Sequence, residues 1–349
     1  MKLTCPSKVR AILAEWNIRP KKALGQNFLI DANILEIILA TAGLTAEDEV
    51  LEIGTGLGVL TEPLARAARR VVTVEKDPRL WPWLKQRLLG FPNVELVCHD
   101  ILKMDLEALL RSGINKVVAN LPYSSGSAIL VKLLQAQTPP AQLTVMLQTD
   151  VAARLTAKPH HKEFGLLALW TSLRYDVAIC KTVSPRCFYP APEVRSAIVK
   201  LVQRKDAPTD FPSRHFFYAL TKFAFAQRRK QLKTILAGAA ATMPSPFFAK
   251  NPCGLPQGGS SVAEAAMEDK MVFLASSFAR IASADTSQGS AKMPRGLPQG
   301  ASLQHGVSFT SADALRALQE TGIDPRARPE DVDVEMWRSL AAALKEVCA

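Results

Sequence analysis

The chain has 349 residues, 48% of them hydrophobic, which is long enough for two domains and a large buried core. Its formal net charge of +11 exceeds what an enzyme of small metabolites needs and points to a polyanionic partner, nucleic acid being the usual one. The six cysteines are scattered without a CxxC pair and no apolar run reaches about 18 residues, which argues against a disulfide framework, a zinc site and a transmembrane helix.

A reduced, cytoplasmic protein without metal or membrane attachment is therefore expected. The opening residues "MKLTCPSKVRAILAEW" hold no signal-peptide core and predict a short amphipathic segment. Residues 33–43 have helical spacing. Four stretches then repeat one pattern: "EVLEIG" enters a glycine-rich turn, "RVVTVEKD" ends in acids, "VELVCHD" ends at Asp100 and "INKVVAN" ends at Asn120. "LTVMLQ" adds a fifth apolar run, and helices are predicted at 59–68, 78–89, 104–112 and 126–136. Short apolar strands alternating with helices predict an α/β fold whose parallel sheet is covered on both faces. Residues 165–175 and 194–203 complete this unit as helix or strand.

Beyond about residue 205 the character changes. "FFYALTKFAFAQRRKQLKTILAGAA" reads as one amphipathic helix, and 311–319 and 335–347 are helical, so a first domain over 1–204 and an all-α domain over 205–349 are expected. Residues 241–305 are rich in Gly, Ser, Pro and Ala, and carry "GLPQG" at 254–258 and 296–300. They read as a mostly disordered insertion with one helical stretch.

"LEIGTGLGVLT" runs strand, turn, helix, and Gly54, Gly56 and Gly58 remove Cβ atoms where a backbone must approach a ligand. The spacing is GxGxG and not the GxGxxG dinucleotide fingerprint. Glu52 precedes the turn and no Lys or Arg lies in it, so a cationic ligand suits the entry better than a pyrophosphate. Glu75 follows Gly54 by 21 residues, where a carboxylate accepts hydrogen bonds from ribose hydroxyls. Asp100 can accept the exocyclic amine of an adenine, and Asn120 ends the fourth strand. Ribose, adenine and a positive charge together fit S-adenosylmethionine; NAD fits them less well.

The corner "NLPY" at 120–123 then stands where a methyl acceptor would sit. An exocyclic base amine is a poor nucleophile, because its lone pair is delocalised into the ring. The Asn120 side-chain oxygen and the Leu121 carbonyl can accept its two N–H bonds, Pro122 holds the turn rigid and Tyr123 offers a stacking face. A base reaching this corner has left its stack, so a second ring is expected, and "CFYPAPEVRS" supplies Phe188 and Tyr189.

At this point the chain resembles the ribosomal RNA adenine N6-dimethyltransferases of the KsgA type, which act on small-subunit rRNA. The resemblance lies in "KKALGQNFLID" (21–31), "VLEIGTGLGVLTEPLA" (50–65), "VVTVEKD" (71–77), "HDIL" (99–102) and "NLPY" (120–123). It continues through "DVAARLTAKPHHKEFGLLAL" (150–169), "FYPAPEVRSAIVKL" (188–201), "FAFAQRRKQLKTIL" (223–236) and "GIDPRARPEDVDVEMWRSLAAAL". It implies a class I methyltransferase (Rossmann-like) doubly wound sheet with a small C-terminal all-α domain. It also implies S-adenosylmethionine as cofactor, and double methylation of each of two adjacent adenosines in a hairpin loop near the 3′ end of the rRNA in an immature small subunit. Carried over residue by residue, Gln26, Asn27, Leu29, Gly54, Gly56, Glu75, Asp100 and Asn120 would line the cofactor cleft. Asn120, Leu121, Pro122, Tyr123 and Phe188 would hold the adenine. Three departures stand out: Thr149–Asp150 where the family commonly has a Lys–Glu pair, Arg195 where Asp or Asn is frequent, and the insertion in the helical domain.

The RNA itself is expected on Lys222, Arg228, Arg229, Lys230 and Lys233, a stretch without an acid, on six basic side chains within residues 1–22, and around Lys158 and Lys162. A monomer is expected. Two other readings stay open: an Erm-type methyltransferase of large-subunit rRNA, and a non-catalytic transcription or assembly factor of the same fold. A DNA adenine methyltransferase would usually show DPPY in place of NLPY.

Overall fold

The structure, a computed structural model, describes residues 3–208, 214–242 and 309–347. Helix α1 (Pro6–Glu15) turns Val9, Ile12 and Leu13 inward, and a single 3-10 turn at Lys22–Leu24 leads to β1 (Phe28–Leu29). Asp31 caps α2 (Ala32–Ala42) by accepting from the Ile34 amide at 3.0 Å, and Gly43 ends it in the left-handed conformation. The expected alternation follows as β2 (Glu49–Ile53), α3 (Thr61–Ala67), β3 (Arg70–Val74), α4 (Trp81–Leu88), β4 (Val94–Val97), α5 (Leu106–Arg111), β5 (Lys116–Asn120), α6 (Gly126–Leu134) and β6 (Gln142–Gln148). Then come α7 (Thr149–Thr156), α8 (Leu166–Ser172), β7 (Tyr175–Val183), β8 (Phe188–Tyr189) and β9 (Ser196–Gln203). The C-terminal part holds α9 (Arg214–Phe225), α10 (Leu232–Thr242), α11 (Ser311–Glu320) and α12 (Val334–Val347).

The main sheet has the order β4-β3-β2-β5-β6-β9-β7. Its first five strands are parallel, and β9 runs antiparallel to both β6 and β7. Strand β2 pairs with β3 on one side and β5 on the other, so the chain's winding reverses there. Open α/β sheets bind ligands beyond the carboxyl ends of the strands at such a reversal. The glycine turn follows β2 and Asn120 ends β5, so the fold puts both at that point.

Strand periodicity separates two cores. Leu51, Ile53, Val72, Val74, Val117 and Ala119 join the cluster on one face, and Val50, Val71 and Val118 join that on the other. The first cluster continues without a break through Phe217 of α9, Ile235 of α10 and Trp337 of α12. A third cluster packs Val9, Ile12 and Leu13 of α1 on Trp83 and Leu84 of α4, which fixes the N-terminal segment to the end of the sheet.

One strand was missed and two expectations need correction. Residues 165–175 are helix up to Ser172, within the helix-or-strand reading, but a nine-residue strand, β7, then follows that the sequence did not announce. The single amphipathic helix read through 216–240 is two helices, because the amides of Leu232 and Lys233 bond to the carbonyls of Ala327 and Pro325 at 2.8 and 3.0 Å. Those distant carbonyls replace the helical partners that would have carried α9 onward. Finally, residues 241 and 242 belong to α10, while the rest of the expected insertion and both GLPQG repeats lie outside the described residues.

Candidate active site

The cleft at the reversal has a volume of about 290 Å³. Gln26, Asn27, Leu29, Gly54, Gly56, Glu75, Asp100 and Asn120 all line it, as do Leu121, Pro122 and Tyr123. Gly54 has φ +79°, and a Cβ there would sit 3.5 Å from both the Asn120 carbonyl oxygen and Pro122. The glycine turn and the NLPY corner are thus in contact, which favours glycine both for its left-handed backbone and for its small size.

Two carboxylates lie under the turn. Glu75 accepts from the Gly56 amide and from the Asp77 amide, both at 2.8 Å, which ties the tip of β3 to the turn after β2. Each of its oxygens keeps a lone pair for a further donor. Burial pushes its carboxyl up, against the pull of those two amides. Glu52 is 1% exposed. Its Oε2 accepts from the hydroxyls of Thr61 and Thr73 at 2.7 and 2.6 Å, and its Oε1 is buried without a partner. Burial raises its carboxyl to about 7, although both threonine hydroxyls oppose the rise. A cation entering this end of the cleft meets an acceptor that no protein donor has taken.

Asp100 accepts from the Leu102 amide at 3.0 Å and pairs with Lys76 at 2.7 Å. Burial alone would raise its carboxyl, but those two donors hold it below the usual carboxylate range.

At the corner, Asn120 donates from Nδ2 to the Asn27 carbonyl at 3.2 Å, while its Oδ1 is buried without a partner. Leu121 is fixed by its amide on the Met146 carbonyl at 3.0 Å. The Tyr123 hydroxyl bonds to Ser196 Oγ at the start of β9, and burial raises the phenol. Phe188 is 2% exposed and stands edge-on to Tyr123, with ring centres 6.5 Å apart and planes at 71°. The two rings are therefore not a parallel pair, and Phe188 backs Tyr123 from the core rather than lining the cleft.

Gln26 lines the cleft, but its polar ends are used by protein. Its amide donates to Asp77 Oδ2 at 2.6 Å, and Arg79 grips the same carboxylate while reaching the Arg19 carbonyl at 2.7 Å. Burial would raise the Asp77 carboxyl, but Arg79 and Gln26 together hold it low. Gly25 lies flat on the corner: at φ +64°, a Cβ there would be 2.6 Å from the Ser124 nitrogen and 2.7 Å from the Tyr123 nitrogen. Asp77 and Gly25 line the cleft, and Arg79 and Ser196 hold Asp77 and Tyr123, which line it; the sequence singled out none of these four. The acids of "VEKD" and the glycine before Gln26 were the available signals; nothing local marks Arg79 or Ser196.

The basic stretch is only partly free. Lys222, Arg229, Lys230 and Lys233 are exposed, but Arg228 lies 3.3 Å from Glu330, an acid from the far end of the chain. The stretch without a local acid is therefore partly neutralised in space.

A mixed sheet with this strand order and five parallel strands, a glycine turn on β2, a carboxylate at the tip of β3 and an NLPY corner on β5 define a class I methyltransferase. The family model described as "Ribosomal RNA adenine dimethylase" matches residues 17–245. The chain is 40% identical over 235 residues to "Ribosomal RNA small subunit methyltransferase A" of Geobacillus thermodenitrificans, covering 66% of this chain and 80% of that one. It is likewise 40% identical over 241 residues to the protein of that name from Listeria welshimeri, covering 67% and 82%. The chain belongs to the ribosomal RNA adenine dimethylase family. Among solved structures, a dimethyladenosine transferase from Plasmodium falciparum aligns over 90% of this chain and 95% of its own, with a TM-score of 0.63 at 22% identity. The 23S rRNA methyltransferase ErmE aligns over 91% and 99%, with a TM-score of 0.53 at 23% identity. At those identities the two structures bear on the fold alone.

Proposed function

We propose that this chain transfers methyl groups from S-adenosylmethionine to N6 of two adjacent adenosines in a hairpin loop near the 3′ end of small-subunit rRNA, within an immature subunit. The observation that carries the reading is the buried, unpartnered Oδ1 of Asn120, a residue that lines the cleft. The names of the relatives give the small subunit as the substrate; the fold alone is shared with an enzyme of large-subunit rRNA.

The residues fit the cofactor. Glu75 has lone pairs left for two ribose hydroxyls, Asp100 for an adenine amine, and a positive charge at that end would favour the ionised form of Glu52, whose Oε1 has no protein donor. When bound, S-adenosylmethionine supplies an electrophilic methyl on a sulfonium and departs as a neutral thioether. Asn120 Oδ1 and the Leu121 carbonyl accept the two N6–H bonds of the target base, which turns its lone pair toward the methyl. Tyr123, held by Ser196, supports the ring. No strong general base is needed, because the methylated amine becomes acidic and loses its proton to solvent. The protein's work is alignment and desolvation.

The test is to incubate the protein with labelled S-adenosylmethionine and, separately, immature small subunits, large subunits, naked rRNA and DNA. Label confined to small-subunit rRNA is expected. Label only in the large subunit would replace this reading with the Erm type, and no transfer to any of the four would favour a non-catalytic binder.

A further inference from the structure

Lys76 stands between Glu75 and Asp77 at the tip of β3 and lines the cleft. Its ammonium lies 2.7 Å from Asp100 Oδ2, while the Leu102 amide donates to Asp100 Oδ1 at 3.0 Å. Both oxygens that would receive an adenine amine are therefore engaged, one of them by a full positive charge. Strands β3 and β4 are neighbours, paired up to Val74 and Val97, so the Lys76–Asp100 contact spans the gap between their tips. The Lys76 side chain is 56% exposed and that of Asp100 is 13% exposed, which puts the ammonium on the solvent side of the carboxylate.

Resting on the reading of this cleft as an adenosyl site, we propose that Lys76 is an ionic strap across the adenine subsite that sets cofactor affinity by competing for Asp100. While paired, the ammonium neutralises Asp100 and weakens it as an acceptor. The adenine amine receives the full carboxylate only when the strap swings out. An exposed ion pair is worth little, so opening it lowers affinity by only about two- to fivefold. The spent thioether keeps the same adenine, so the strap also favours its release after transfer.

The test uses the full chain and titrates S-adenosylhomocysteine by calorimetry into the wild type and Lys76→Met, which keeps the side chain's bulk and removes its charge. The variant should bind about two- to fivefold more tightly. The ratio of the two Kd values should shrink toward one as KCl rises from about 0.05 to about 0.5 M, because salt screens the strap. Equal or weaker binding by Lys76→Met, or a ratio indifferent to salt, overturns the strap while leaving the adenosyl reading intact. No binding by either protein overturns both.

Discussion

Asn120 donates its side-chain amide to the Asn27 carbonyl at 3.2 Å, so the residue that ends β5 also holds the N-terminal segment against the cleft. That bond fixes the amide's orientation and leaves its oxygen buried without a partner. A buried acceptor left unsatisfied costs about 1–3 kcal/mol, which a base amine would restore on entering. Asn120→Ala removes the acceptor and the tether together. Transfer should fall by at least about 100-fold, the scale of a lost oriented dipole, with circular dichroism unchanged. Near-normal turnover would sink the assigned role.

Glu52 makes stability depend on pH in an uncommon direction. Its carboxyl rises from 4.5 to about 7 on burial, so the folded chain keeps a proton that the unfolded chain gives up. The protonated form's stabilising share is complete below pH 4.5 and lost as pH rises to about 7, a change of about 3 kcal/mol at that shift. Glu52→Gln has no such group to ionise. Urea unfolding of both proteins should show the variant gaining on the wild type by about that amount across this window, and a constant difference would contradict the assignment.

Gly25 is a contact point rather than a hinge. At φ +64°, with main-chain nitrogens of Tyr123 and Ser124 under 3 Å from where a Cβ would stand, alanine must push the N-terminal segment off the corner. The left-handed conformation alone costs a non-glycine residue about 1–2 kcal/mol. Gly25→Ala should lower kcat/KM by about tenfold or more while the sheet stays folded. A loss under twofold would show that the segment adapts freely.

The basic stretch divides into two kinds of residue. Arg229→Glu with Lys230→Glu should weaken rRNA binding and flatten the plot of log K against log salt by about 0.7–0.9 for each phosphate that is no longer neutralised. Arg228→Glu should also destabilise the fold, because it sets a second acid beside Glu330. An unchanged salt slope in the double variant would remove this surface from the RNA interface.

The inner parallel strands were legible because they are buried on both faces and read as short apolar runs, as in "VVTV" and "KVVAN", while the edge strand β4 showed as "VELV" although it is only partly buried. Strand β7 was not, because it is an edge strand whose middle is mostly exposed and only Tyr175 and Val183 at its ends are buried. The break between α9 and α10 has no Gly or Pro at 226–231 to mark it, and its cause lies near residue 326. The site divides the same way. Gly54, Glu75, Asp100 and Asn120 were readable because each ends or follows a strand, and strand ends meet at one edge of a parallel sheet. The pairing of Gln26 with Asp77 and of Arg228 with Glu330 joins segments 51 and 102 residues apart, which no local pattern encodes.

Methylation of two adenosines on one RNA is the outcome to which the cleft, the corner and the basic stretch between α9 and α10 all lead. Small subunits lacking the modification should be incubated with the protein and S-adenosylmethionine, and their rRNA then digested to nucleosides and fragments for mass spectrometry. N6,N6-dimethyladenosine is expected at two adjacent positions of the small-subunit rRNA, with none in large-subunit rRNA. Methylated adenine confined to large-subunit rRNA, or none in either, would contradict that assignment.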